Sequence, residues 1–494
     1  MKTYFTLLTI LMINYAIAKP PVGVTKTQWN NIKRQIIQSQ SETNEIDDNL
    51  EFFGVSPNYF HHSEVTASNA NFDDHFGEKI SISGNTMIVS APYEDSNASG
   101  VNGNQNDNSL SNSGAVYVFI LENNMWTQQA YLKASNPGSE DQFGGRVNFN
   151  WNSIDISGDT IVIGAAHEDS DGSSQSDNSK QDSGAAYVFI RNNGTWTQQA
   201  FLKLSTPNSF VEFGRAVAIS GNTLIISSDE IAGSGAAYVF NRNNGIWVQT
   251  ARLEASSTSS SDHFGVDLGI SNETIVVGSY FEDSIASNSG AVYVYKKING
   301  IWQEQTILKA SNAGENDTFG RSVSISGNTI VVGASRESSN AIGINGNGLD
   351  NSLNHSGAAY VFTENNGTWF QQAYLKASNT DENDLFGTSV KINGNIIIVS
   401  AINEKSFTSQ IDGDQGNTTN FSIGAAYVFE RNGNTWQQTS YLKPSNINQS
   451  FIGLGSSVAF WGNSPVVSAQ HFNSSSGKVY IYKGTDLIYT NGFE

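Results

Sequence analysis

From residue 57 to residue 483 the chain is built of short apolar runs, four to a unit, separated by turns rich in Gly, Asn and Asp. One unit shows the pattern in full. Ser322-Val323-Ser324-Ile325-Ser326 alternates as a half-buried strand does, and Gly327-Asn328 follows as a turn. Thr329 to Ala334 is apolar throughout, and after a long polar segment come Ala358 to Phe362, the turn Asn365-Asn366-Gly367, and Trp369 to Lys376. Gly-Asn, Gly-Asp and Asn-Gly accept the positive φ of two-residue hairpins, so the strands within a unit are antiparallel. The first hairpin has such a pair at Gly84-Asn85, Gly158-Asp159, Gly221-Asn222, Gly394-Asn395 and Gly462-Asn463.

The units repeat. Phe-Gly stands at Phe76, Phe143, Phe213, Phe264, Phe319 and Phe386, with Leu454-Gly455 as a seventh, altered copy. A second landmark, Gly-Ala or a variant running into an aromatic strand, falls at Gly114, Gly184, Gly235, Gly290, Gly357, Gly424 and Gly477. Trp126, Trp196, Trp247, Trp302, Trp369 and Trp436 follow the first six. Successive Phe-Gly pairs lie 67, 70, 51, 55 and 67 residues apart, so the loops vary while the strands persist. Repeats of this length made of four strands predict an all-β fold, a seven-bladed β-propeller whose four-stranded antiparallel blades cover one another's faces.

The last unit lacks a fourth strand, and the segment before the first Phe-Gly contains one without an owner. Aligning Ala67-Ser68-Asn69 with Ala134-Ser135-Asn136 sets Tyr59 on Trp126 and Val65 on Leu132. The N-terminal strand is thus expected to complete the seventh blade, pairing beside Lys478 to Tyr482. A ring closed in this way predicts a monomer.

The sequence also suggests what flanks the ring. Lys2, the apolar run Phe5 to Ile13 and Ala16-Ile17-Ala18 read as a secretory leader over residues 1–18. Residues 19–56 form a polar linker in which Trp29, Ile32, Ile36 and Ile37 have the spacing of a short helical face. Residues 484–494 form a tail. No run approaches the ~20 apolar residues of a membrane-spanning helix. These features place the chain outside the cytoplasm, at the cell surface, in the periplasm or in the medium. The net charge of −20 argues against nucleic-acid and anionic-membrane partners. With no cysteine, disulfides play no part.

The series Phe-Gly, Ser-Val-Ser-Ile-Ser-Gly-Asn-Thr-Ile-Val-Val-Gly-Ala, then Ser-Gly-Ala-Ala-Tyr-Val-Phe resembles the FG-GAP repeats of integrin α-subunit propellers, in the bacterial secreted branch. The resemblance implies adhesion or ligand binding through one face of a ring. It also implies a calcium loop, Asp-x-Asp-x-Asp-Gly, where this chain has only Ser-Gly-Asn-Thr or a close variant. Two turn residues cannot supply the six to eight oxygens calcium takes.

Acidic and amide residues gather instead after the second strand of each unit. Tyr93, Glu94, Asp95, Asn104, Asp107 and Asn108 in the first copy, and Asn347, Asp350 and Asn351 in the fifth, are candidate ligand-binding residues. Asp169, Asp171 and Asp177 in the second copy and Asp412 and Asp414 in the sixth are candidate metal ligands, with calcium the one cofactor they suggest. The same residue types form Asx-turns in exposed connections. The loops near 93–112, 167–182, 335–355 and 402–422 should share one face, since tight turns occupy the other.

No catalytic signature is evident. His75 and His263 precede Phe-Gly where other copies vary, and His61 and His62 on the closing strand are expected to face solvent. His167, His355 and His471 lie in loops without counterparts. The tryptophans and the Gln-Gln pairs after them read as packing between blades, with sugar stacking as the alternative. The function expected is a secreted or surface binding or adhesion module for a protein or glycan. The alternatives are a secreted glycosidase or lyase, distinguished by an acidic pair at the ring's centre, and a structural surface-layer or matrix protein.

Overall fold

The computed structural model describes residues 59–484 apart from 148–150, 176, 230–233, 258–260, 417, 419–420 and 448–450. The leader, the linker helix and the tail lie outside the described residues. Seven four-stranded antiparallel sheets follow one another along the chain. The first strand of each blade lies innermost and neighbours the first strands of the blades on either side, so the ring closes. In the unit parsed above, the strands are Ser322–Ser326, Thr329–Ala334, Ala358–Asn365 and Thr368–Leu375. Gly84 takes φ 60° ahead of Asn85 in the first turn, while Asn193 and Gly194 are both positive in a second turn, as primed hairpins require.

Closure occurs as the alignment predicted. The strand Tyr59–Val65 pairs antiparallel with Lys478–Gly484, from Tyr59 opposite Gly484 to Val65 opposite Val479. Glu64 reaches back to Lys478 at 2.7 Å.

The two landmarks owe their recurrence to one contact between blades. Phe143 N donates to Ser113 O, so Phe-Gly docks against the start of the Gly-Ala strand of the preceding blade, while Gly144 N donates to Gly164 O of its own blade. At Gly114, with φ 78°, an added Cβ would lie 2.4 Å from Phe143 O. A side chain there would have to push the next blade away. Phe143 itself packs edge-on against Tyr187 and Phe189.

The inner strands would otherwise present unpaired amides to the axis. Side chains of the preceding blade accept them. Ser322 Oγ takes Val390 N, Ser389 Oγ takes Val458 N, and Ser457 Oγ takes Ile80 N across the closure. Asp155 and Asp267 do the same for Ile219 and Val323.

Each outer hairpin carries a β-bulge at the same place, and in three of them the bulged side chain reaches the neighbouring blade. The bulged residues Gln129, Gln199 and Gln372 accept the indole N–H of Trp196, Trp247 and Trp436 at 2.8, 2.9 and 2.8 Å. Trp196, Trp247 and Trp436 with their glutamines are therefore blade-to-blade fasteners, whereas the buried indole nitrogens of Trp126 and Trp302 meet no acceptor among the described residues. His62 occupies the bulge of the closing strand, which corrects the expectation that it faces solvent. It stacks on Trp461 at 5.7 Å, and His61 lies against Tyr482.

Candidate functional site

Beneath the long loops runs a repeated buried ionic network. Lys133, Lys203, Lys376 and Lys443 reach Glu94, Glu168, Glu337 and Glu404 at 2.9, 2.6, 2.8 and 2.6 Å, and Lys309 pairs with Glu282. The asparagine three residues after Lys133, Lys309 and Lys376 serves the next blade, whereas Thr206 stands at that place after Lys203. Asn136 donates to Glu168 and accepts from Tyr187, as Asn69 does with Glu94 and Tyr117. Beside these pairs Asp74, Asp141, Asp317 and Asp384, two residues before Phe-Gly, are pushed up to about 7, by burial above all. For the first three a backbone N–H donor partly offsets the shift; for Asp384 the nearby Lys405 does so.

Above this network, where the inner strands end on the loop side, the blades differ. In blade two, nine residues lie between Gly144 and Ile154, where two lie between Gly77 and Ile80. The insertion carries Trp151, 2% exposed, which packs with Ala166, with Val266 of blade four and with Tyr280. Arg215 lies over its ring at 4.1 Å and Arg146 at 5.5 Å. Arg215 also pairs with Asp229, which His263 meets at 2.8 Å. Burial pushes the Asp229 carboxyl up, but His263 and Arg215 outweigh it and hold the group below its ordinary value.

Blades five to seven and the start of blade one surround an open cleft of about 400 Å³. Its wall includes Arg321, Arg336, His355, Asn403, Gln470 and His471, with Glu78 from the first blade. Arg321 lies 5.9 Å from the Tyr280 ring, and burial together with Arg336 lowers its pKa. His471 packs against Phe451 and His75, and burial with the facing His75 pushes it down to about 4. The inner-strand carboxylates offer no free acid pair. Asp155 accepts from Ile156, Ile219 and Ser81, and Asp267 accepts from Leu268 and Val323.

The FG-GAP repeat profile matches residues 60–119, 126–189, 196–240, 247–295, 302–362 and 369–429. The chain belongs to the FG-GAP repeat family. Each matched FG-GAP unit begins in the outer strand of one blade and ends in the third strand of the next. No curated protein matches the chain. Among solved structures, a chain of "Crystal Structure of Mitotic Checkpoint Complex" is 10% identical, with a TM-score of 0.47 over 90% of this chain and 96% of that one.

The candidate residues named from the FG-GAP loops fall in several places. Glu94 is 0% exposed and belongs to the ionic network. Tyr93 packs edge-on to His75 beneath the loop face. Asp95 accepts from Asn112 N, and Asn108 from the Asn71 amide. Asn104 helps line a second, shallower cleft with Ser68 and Asn69. Asp107, Asp171, Asp177 and Asp350 each accept the backbone N–H and the hydroxyl of the serine two residues on, as in Asx-turns. Asn347 and Asp414 cap their own turns, Asp169 and Asp412 accept backbone amides, and Asn351 is exposed. Among the described residues no three His, Asp or Glu side chains gather as a metal site. Asp169, Asp171 and Asp177 share one loop, in which Asp171 N donates to Asp177, and Asp412 and Asp414 stand in another.

The axial residues were missed because their positions vary between copies, which read as tolerance. In a ring of repeated parts, variation at the axis distinguishes one blade from another. The signal was present in the residues before each loop glutamate, Tyr93, His167, Phe281, Arg336 and Asn403, and in the residues flanking Phe-Gly.

Proposed function

We propose that the chain is an exported binding module whose ligand is held on the loop face, over the axial cleft. The observation that carries this reading is the contrast between a uniform scaffold and a divergent axis. Fasteners, landmarks and ionic pairs recur from blade to blade, whereas the groups around the cleft form one asymmetric set. Repeat proteins concentrate recognition in such positions. The leader read in residues 1–18 supports export. Exposed apolar side chains in the surrounding loops, Leu349 at 83% and Phe72 at 78%, support a ligand large enough to cover them.

The test is an array of glycans and cell-surface proteins probed with the full chain and with Asn403→Ala and Leu349→Ser. Both variants should melt like the parent. A ligand retained by the parent and lost by either variant supports the loop face, whereas equal retention by all three places recognition elsewhere.

A further inference from the structure

The axial cleft contains two guanidinium groups that no acid neutralises. Arg321 and Arg336 line it together, and among the described residues neither has a carboxylate within ion-pair distance, although Arg191, Arg215 and Arg252 all do. Two like charges held side by side are stabilised by an anion bridging them, and the guanidinium fork matches the two oxygens of a carboxylate.

The same wall carries acceptors without donors. Gln470 is 3% exposed, and its Oε1 receives no hydrogen bond. Glu78 is buried, with one oxygen on Lys79 at 2.9 Å and Oε2 unpartnered. Because Lys79 already balances Glu78, this acid leaves the arginine charge in place. Buried acceptors of this kind need hydroxyl or amide donors. A fully ionised phosphate or sulfate presents acceptors alone and would leave Gln470 and Glu78 unsatisfied. The Asn383 and Asn403 amides also line the cleft, beside the ring of Phe451. An amide both donates and accepts, as hydroxyls do, and an aromatic face suits the C–H surface of a sugar ring.

We propose that the cleft binds a hydroxylated carboxylic acid the size of one hexuronic acid residue. Its carboxylate lies on Arg321 and Arg336, and its hydroxyls donate to Gln470 and Glu78. The volume falls within the range of small-ligand sites, roughly 300–1,000 Å³. The proposal rests on the loop face being the binding face and names the chemistry it takes.

Calorimetric titration of the full chain tests it, with glucuronate, galacturonate, glucose, galactose, acetate and a galacturonate oligomer as probes. A hexuronate should bind with a Kd of about 1 mM or tighter, and both the neutral sugars and acetate at least ~10-fold more weakly. Arg336→Gln should weaken hexuronate binding at least ~10-fold with an unchanged melting temperature, and Arg321→Gln should do the same. Gln470→Leu should reduce the preference for hexuronate over acetate. Equal molar affinity for oligomer and monomer assigns the site to a single residue, and tighter oligomer binding assigns it to a chain end. No heat at about 10 mM hexuronate, equal binding of neutral sugars, or a folded Arg336→Gln that binds as the parent does would overturn the proposal. If an array ligand still requires Asn403 or Leu349 while hexuronates are ignored, the binding-face reading stands and this proposal falls.

Discussion

Replacing Lys133 by Met tests whether the loop glutamates belong to the scaffold rather than to ligand recognition. Lys133 Nζ lies 2.9 Å from Glu94 Oε2 and 2.7 Å from Ser113 Oγ, and both members of the ion pair are inaccessible to solvent. The substitution removes the charge and leaves a carboxylate held only by Asn69, at 3.2 Å, and by Ser96 N, at 3.1 Å. Removing one partner of a buried pair costs about 3–5 kcal/mol, because the remaining charge stays desolvated. An unfolding entropy of roughly 2.1 cal/mol/K per residue over about 430 residues makes that a fall in melting temperature of about 3–6 °C. The double variant Lys133→Met, Glu94→Gln leaves no buried charge and keeps one carbonyl oxygen to accept from Asn69 or from Ser96 N. It should recover most of the loss, with a coupling of at least about 2 kcal/mol. Calorimetry and tryptophan-monitored urea denaturation provide the readouts. A single variant within about 1 °C of the parent, or a double variant no better than the single, would refute the argument.

Three further outcomes are expected. Asp317, with its carboxyl pushed up to about 7 by burial, keeps its proton longer when folded than when unfolded, so its contribution to stability is greatest below about pH 4 and declines as pH rises toward 7. Asp317→Asn should therefore raise the melting temperature relative to the parent more at pH 8 than at pH 5, and a gain confined to pH 5 would show the sign to be wrong. Gln129→Ala removes the acceptor of the Trp196 N–H and should cost about 1–2 kcal/mol in urea denaturation, an effect absent if the tryptophan is held by packing alone. A chain lacking Tyr59–Val65 should melt earlier and regain stability when a peptide spanning residues 57–69 is added; parent-like melting of the truncated chain would exclude this closure.

The fold was legible because its determinants are local and repeated. Strand alternation, Gly-Asn turns and the offset of Asn69 from Asn136 were enough to place the ring and its closure. The bulges were less visible, since a bulge is defined against its partner strand and no single run of residues displays it. His62 looked like a solvent-facing residue until pairing with Lys478–Gly484 made it the bulged one. The loop candidates show a related difficulty. Glu94 and Asp107 are both acidic loop residues, yet one lies inside an ion pair and the other caps a turn at the surface. The lysine of Leu132-Lys133-Ala134-Ser135-Asn136, which recurs at Lys309 and Lys376, was the available clue that the glutamates had buried partners. The axial arginines escaped notice because their neighbours come from blades far apart in the chain.

The closing strand also sets a schedule for the molecule's birth. Val65 leaves the ribosome about 410 residues before Lys478, and at roughly 5–20 residues per second the first strand waits roughly 20–80 s for its partner. Through that interval the growing chain is an open arc with one end unmatched, and His61, His62 and Glu64 are polar residues on the strand that must wait. Those side chains keep the strand from pairing with strangers until the last hairpin arrives.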